Sequence, residues 1–349
     1  MPNHIDIRTY RPDDRIIIPD APTIPGLRFR RFRGEADYPA MSAVLNGSKE
    51  ADGLEWSQSV EDVARTYRHL VNCDPQQDML FAEINGQVVG YSRVWWQQEL
   101  DGTRDYLHFV HLLPEWRVGD LRRAMLRHNE RRLRQIAADH PATAPRLLCA
   151  WASETETHWA SLLIEEGYRP VRYNFEMVRP DLENIPDLPL PEGLEVRPVL
   201  PEHIPLIWEA SREAFRDHWG YSEEEWDQEM ATWPESPTFQ PELWQVAWDG
   251  DRVAGMVQNF IDHAQNEEYG RKRGYTEGIC VRRPWRRRGL ARALIARSLR
   301  LLKELGLEEA ALGVDADNPN GALQLYTSMG FRVVKRHTTY QKPLDGAQA

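Results

Sequence analysis

The sequence predicts an α/β (α+β) protein of two tandem domains, each a twisted mixed β-sheet flanked by helices. Three observations carry this reading. Landmarks of the first half recur 163 to 170 residues later, in the same order. A strand, an arginine-rich turn and a long amphipathic helix follow one another from Tyr275 onward. A second short strand and helix come next, closed by Gly330-Phe331. The period is domain-sized, so the chain is a duplication and not a solenoid of small repeats.

In chain order, residues 1–25 are polar and punctuated by prolines, which predicts an extended N-terminal arm. Gly26–Phe32 opens a strand, and Gly193–Val199 opens another in the same style. Ile84–Gly90 reads as a hairpin through an Asn-Gly turn, with Trp248–Gly255 as its counterpart. Pro114–Leu121 mirrors Pro284–Ala291, and Leu162–Tyr168 mirrors Leu325–Phe331. Between the halves, Pro186, Pro189 and Pro191 stiffen an acidic linker over 181–193. The domains are therefore expected at 26–180 and 194–345.

In the second half, Ile279, Cys280 and Val281 form a partly β-branched run that predicts a strand. Pro284 ends it, since its ring nitrogen cannot donate to a ladder. Arg286, Arg287, Arg288, Gly289, Leu290 and Ala291 lead into a helix. Leu290, Ala291, Leu294, Ile295, Ser298, Leu299, Leu302 and Leu305 share one stripe of it, and Gly306 supplies the stop. Ala310–Val314 predicts another strand. Asn318-Pro319 predicts a helix start, with Asn as cap and Pro in the first position.

A strand, a turn with arginines and glycine, then a helix N-terminus is an arrangement that binds phosphate. The first helical N–H groups have no partner within the helix, and glycine lets backbone approach an anion. Arg286-x-x-Gly289-x-Ala291 resembles the acyl-CoA pyrophosphate loop of the GNAT N-acetyltransferase superfamily, Gln/Arg-x-x-Gly-x-Gly/Ala. The string from Asp315 to Phe331 is similar to that family's second signature, Asn…Ala-x-x-Leu-Tyr-x-x-x-Gly-Phe. Two signatures in the right order are far more specific than either alone.

The resemblance implies an acetyl-CoA-dependent N-acetyltransferase acting on a primary amine by direct attack in a ternary complex. It implies that acetyl-CoA lies along Ile279, Cys280 and Val281, with its phosphates at Arg286, Arg287, Arg288, Gly289, Leu290 and Ala291, and with Asn318 nearby. Tyr326 is then the acid that protonates the departing thiolate. Glu277 is the candidate base, expected on the strand face of Ile279 and Val281, with His218 as runner-up. Cys280 need not act as a nucleophile and reads as a buried thiol. Six tryptophans between Trp208 and Trp248 could line an acceptor pocket or pack a core. The tandem layout is similar to that of the mycothiol synthase family, which carries a glutamate where this chain has Tyr275.

The halves are chemically unequal. Trp116 stands where Arg286 stands, Leu121 replaces Ala291, Leu163 replaces Tyr326 and Thr155 replaces Asn318. The first half is expected to be catalytically dead. Two other readings stay open: a protein that senses CoA without turnover, and an acetyltransferase of a protein N-terminus.

Composition agrees with an ordinary globular chain. Of its 349 residues 41% are hydrophobic and 28% charged, with a mean hydropathy of −0.62. No long apolar run suggests a membrane span, and the charged N-terminus lacks the apolar core of a signal peptide, so a cytoplasmic location is expected. Cys73, Cys149 and Cys280 are isolated and the 11 histidines scattered, so neither a disulfide framework nor a metal site is expected. A net charge of −11 argues against a nucleic-acid partner. The eight arginines between Arg282 and Arg300 suit one polyanionic ligand instead. A monomer with its two halves paired is expected.

Overall fold

Short β-rich runs bounded by Gly, Asn and Pro turns become strands along the whole chain. The computed structural model describes residues 14–56, 58–318 and 320–345. The strands are β1 (Arg15–Ile16), β2 (Leu27–Arg30), β3 (Met79–Ile84), β4 (Gln87–Gln98), β5 (Arg104–Leu112), β6 (Arg146–Ser153), β7 (Arg169–Arg179), β8 (Glu195–Arg197), β9 (Gln245–Asp249), β10 (Arg252–Phe260), β11 (Arg273–Val281), β12 (Glu309–Asp315) and β13 (Arg332–Pro343). The helices are α1 (Tyr38–Lys49), α2 (Val60–Arg68), α3 (Pro75–Asp78), α4 (Leu121–Ala138), α5 (Thr157–Glu165), α6 (Ile204–Phe215), α7 (Glu223–Thr232), α8 (His263–Glu268), α9 (Leu290–Glu304) and α10 (Ala322–Ser328). Among the described residues no helix is long and apolar enough to cross a membrane.

The duplication is plain in the pairing. In each half an antiparallel meander leads to a strand that pairs in parallel with the next strand after a helical crossover. These are β5–α4–β6 in the first half and β11–α9–β12 in the second. Helices cover both faces. In the second half α9 and α10 seal one face with Leu290, Leu294, Leu299 and Tyr326, while α6 seals the other with Ile207, Ala210 and Ala214.

The two halves form one sheet because each lends its last strand to the join. The order at the seam is β6-β13-β7-β12. Strand β7 of the first half therefore pairs antiparallel with β12 of the second, and β13 of the second half pairs with β6 of the first. The 181–193 linker is packed down and is no free tether. Leu182 is buried among the side chains of α9, and Arg300 donates to the Pro186 carbonyl at 2.7 Å.

The N-terminal arm differs from a free extension where it is described. Arg15 and Ile16 add an edge strand against Arg30 and Phe29, and Ile18 is buried in the core. Its residues 1–13 lie outside the described ones, as does Pro319. The last helix also starts later than the Asn318-Pro319 pattern predicts. It begins at Ala322 behind Gly321, and Asn318 instead closes the preceding turn, its side-chain oxygen accepting the Asn320 N–H at 2.9 Å. A short polar side chain satisfies a tight turn as readily as a helix cap, and here the turn wins.

Candidate active site

The site begins where two parallel strands part. Strands β11 and β12 pair only from Arg273 to Tyr275 against Glu309 to Ala311, yet they run on to Val281 and Asp315. Beyond the last pair their facing backbone edges open into a groove of about 630 Å³. The groove is lined by Glu277 to Val281 on one side, Gly313 to Asp315 on the other, and Tyr326 and the α9 N-terminus.

A β-bulge sharpens the split. Glu277 pairs with Gln258 and Cys280 with Met256, so Gly278 and Ile279 together stand opposite Val257. Gly278 has φ +55, and a Cβ there would lie 2.0 Å from the Gln258 side-chain oxygen. Only glycine fits this position without strain. The bulge also corrects the expected face of Glu277. Paired residues share a face, so Glu277 lies on the side of Cys280 and Met256, while Ile279 and Val281 pack on the α9 side.

That displacement puts Glu277 at a junction. Glu277 lines the groove and also a second cavity of about 810 Å³ walled by α6, α7 and β10. Phe215, His218 and Gly278 are likewise shared by both. Glu277 Oε1 accepts the Gly313 N–H at 2.8 Å, bridging the parted strands. Burial pushes the Glu277 carboxyl up to about 8; the Gly313 hydrogen bond opposes this, and the carboxylates of Glu229 and Glu176 add to it. A carboxyl raised this far can exchange a proton near neutral pH.

Tyr326 sits on the α10 wall, 6% exposed. Burial, then the nearby Glu277 and Cys280, raise its phenol above the ordinary value, so it keeps its proton. Burial holds the Cys280 thiol up at about 12, which leaves no thiolate for nucleophilic attack. His218 is pushed down by burial and is neutral at pH 7.

At the mouth of the groove, Arg287 (φ +61) and Gly289 (φ +83) are both left-handed and turn the chain into α9. A Cβ at Gly289 would meet nothing within 4 Å, so the space above this turn is open. The arginine cluster is less available than its density suggests. Arg282 and Arg283 pair with Glu213 and Asp217, and Arg300 and Arg288 tie down the linker. Arg286 lines the groove while its guanidinium is engaged within the protein, and Arg288 is not among the groove-lining residues. Arg286 Nε donates to the Val281 carbonyl at 2.9 Å and braces the loop. Arg288 turns away from the groove to the Glu192 carbonyl. Among the described residues, Arg287 and Arg292 line the groove with no carboxylate or hydrogen-bond partner.

Residues 204–331 match the model of the Acetyltransferase (GNAT) family. The chain is 30% identical to a mycothiol acetyltransferase of Geodermatophilus obscurus over 301 residues, 85% of this chain and 91% of that one. The chain belongs to the GNAT acetyltransferase family. A GCN5-related N-acetyltransferase from Sphaerobacter thermophilus superposes over 94% of this chain and 99% of its own, at 25% identity and a TM-score of 0.69. A tandem GNAT protein from the clavulanic acid biosynthesis pathway shares the fold over 92% of this chain and all of its own (100%), at 13% identity and a TM-score of 0.64.

As a GNAT acetyltransferase the chain is an N-acetyltransferase, and such enzymes use acetyl-CoA. Ile279, Cys280, Val281, Gly289, Leu290, Ala291, Asn318, Glu277 and Tyr326 all come to one groove. Sequence reasoning missed Asn174, which enters the groove wall from β7 of the first half. Arg172 on the same strand donates to Asp315 at 2.8 and 2.6 Å. Only the pairing order at the seam brings these residues in. The tryptophans divide evenly between the two expectations. Trp219, Trp226 and Trp233 line the second cavity, while Trp208, Trp244 and Trp248 do not, the last two being buried. Tyr275 is occupied elsewhere, stacked on Phe260 and hydrogen-bonded to Gln265.

The corresponding region of the first half is closed. Strand β5 pairs with β4 in unbroken register, so it has no bulge. His108, 170 residues before Gly278, is buried and bonded to the Tyr168 hydroxyl at 2.8 Å. Arg122, from the first turn of α4, donates to the Val110 carbonyl at 3.1 and 2.8 Å and lies over the Trp159 ring. What remains is a hollow of about 310 Å³.

Proposed function

We propose that this chain moves an acetyl group from acetyl-CoA to a primary amine by direct attack in a ternary complex, in the second half alone. The observation that carries the proposal is the position of Glu277, which lines both cavities. One cavity then takes the thioester and the other the amine, and they meet around Glu277, beside Phe215, His218 and Gly278.

The groove suits the donor. Arg287, Arg292 and the unpaired N–H groups of the first α9 turn offer positive charge and donors to a pyrophosphate. The open edge of β11 at Ile279–Val281 offers N–H and C=O groups to the amides of a pantetheine arm. Glu277, once ionised, accepts the proton that the acceptor nitrogen gives up as its N–C bond forms. Tyr326 gives its proton to the sulfur as the C–S bond breaks. Each transfer is worth roughly 10²–10⁴ in rate. Cys280 stays a thiol throughout, so no acyl-enzyme forms.

The first half is proposed to be degenerate, because His108 and Arg122 fill what the bulge opens in the second. Its function is structural: β7 supplies Asn174 and the Arg172 brace, and the paired halves form a working monomer. A panel of amines tested for acetyl-CoA-dependent release of free thiol checks the proposal. Turnover with at least one primary amine is expected. Thiol release that no amine accelerates would favour a CoA-sensing protein.

A further inference from the structure

On the α1 and α2 side of its sheet, the first half holds the counterpart of the second cavity's floor, with a different charge. Gly90 and Gly255 anchor the comparison. A Cβ at Gly90 would lie 2.7 Å from the His111 carbonyl oxygen, and one at Gly255 would lie 2.8 Å from that of Cys280. Three residues on, Arg93 pairs with Phe109 as Gln258 pairs with Glu277. The first half sets a cation and a ring where the second sets an amide and the candidate base. We infer that this place binds an aromatic carboxylate, its charge held at Arg93 and its ring stacked on the tryptophans beside it. This adds a binding role to the structural one of the first half.

Arg93 faces the α2 side because its neighbours face the other. Ser92 is bonded to Asn129 of α4, and Val94 packs in the core under that helix. The Arg93 residue is 9% exposed, and its Nε is buried without a hydrogen bond. Its guanidinium lies 5.2, 4.7 and 5.3 Å from the ring centroids of Tyr67, Trp95 and Phe109. Among the described residues it has no carboxylate partner. Asp78, next to its strand partner Met79, is taken by Arg132 at 2.7 Å. The Tyr67 hydroxyl beside it is pushed up to about 12, chiefly by burial, and brings no counter-charge. Rings attract a cation but give its N–H groups no strong acceptor, and buried charges are normally paired. The Trp56 indole N–H is a further buried donor with no acceptor. The groups left unanswered are donors, and an anion answers them.

The surroundings supply the place for a ring. Trp56, His111, Phe109, Trp95 and Trp151 follow one another with centroids 6.4, 4.5, 6.1 and 5.7 Å apart. Trp151, at the end of this row, is 47% exposed and opens it to solvent. His111 is pushed down to about 3, first by burial, so it stays neutral and leaves Arg93 as the cation of the row. A carboxylate matches the guanidinium fork, and a flat ring matches the exposed indole. A cationic ligand would meet Arg93 as a like charge.

The test is calorimetric titration of the full chain with 3-phenylpropionate and with its uncharged amide. The acid should bind about 10- to 100-fold more tightly than the amide, the range of a charge-assisted contact. Arg93→Gln should bring the acid down to the level of the amide, while Arg93→Lys should keep part of the difference. Trp151→Ala should weaken acid and amide alike, because it removes a stacking face and no charge. Absence of binding of the acid to the native chain, equal affinity for acid and amide, or a preference that survives Arg93→Gln overturns the inference. If Arg93→Gln melts far below the native chain, Trp151→Ala decides. Weakened binding of the acid in that variant upholds the site, and undiminished binding overturns it.

Discussion

The Glu277 carboxyl accepts the Gly313 N–H at 2.8 Å across the gap where β11 and β12 have stopped pairing. This bond replaces one rung of the lost ladder with a titratable side chain. Gly313, at the edge of β12 that no longer pairs with β11, thus keeps a protein partner for its N–H. The groove is therefore held open by a group that can also exchange a proton with whatever enters it.

Tyr326→Phe removes a single hydroxyl from the α10 wall. The ring stays, so the groove should keep its shape and its affinity for acetyl-CoA. Steady-state kinetics should show kcat reduced by on the order of 10²–10⁴. Full turnover would mean that the sulfur leaves unprotonated or is protonated by another group.

Gly278→Ala tests the bulge. Its φ of +55 strains any L-residue, and a methyl group would also have to displace the Gln258 side chain, whose oxygen lies 2.0 Å from that position. The strand must either strain, at about 1–3 kcal/mol, or straighten and lose the bulge. A lower melting temperature together with weakened acetyl-CoA binding by calorimetry is expected. A stable protein that still binds acetyl-CoA normally would show that the bulge does not build the groove.

Glu277→Gln should change stability in a pH-dependent way. A carboxyl raised from 4.5 to about 8 on folding holds its proton more tightly in the folded chain. Its contribution is most favourable below the unfolded value and is lost as pH rises from about 4.5 through about 8. The glutamine variant should therefore melt close to the native chain at pH 5 and above it at pH 9. Equal melting temperatures at both pH values would place Glu277 in a far wetter setting.

Calorimetric titration should find one acetyl-CoA site per chain. Ala291→Glu sets a carboxylate over the first turn of α9, where the helix end favours an anion. Binding should disappear. A second site of similar affinity would mean that His108 and Arg122 do not close the first half.

Much of this was legible because it is local. The arginine-rich turn, Gly289, the α9 stripe and Tyr326 lie within short windows whose periodicity and turn chemistry determine their conformation. Asn174 and Arg172 were not legible, because the insertion of β7 between β13 and β12 depends on pairing between distant segments. The bulge had a signal that went unread: an isolated glycine in a strand, Gly278, is where a strand commonly bulges. Without it, period-2 alternation put Glu277 on the wrong face. Asn318 failed as a cap because its side chain satisfies the turn before the helix.

The most direct test of Glu277 as the group that takes the acceptor's proton is the pH dependence of kcat/KM, measured with one amine for the native chain and Glu277→Gln. The native profile should rise with pH through a limb near 8, where the free carboxyl ionises. The variant should lose that limb, keep only the titration of the amine itself, and fall by on the order of 10²–10⁴ at pH 9. A variant that retains the limb and stays within a few-fold of the native rate would contradict the account and move the base to His218.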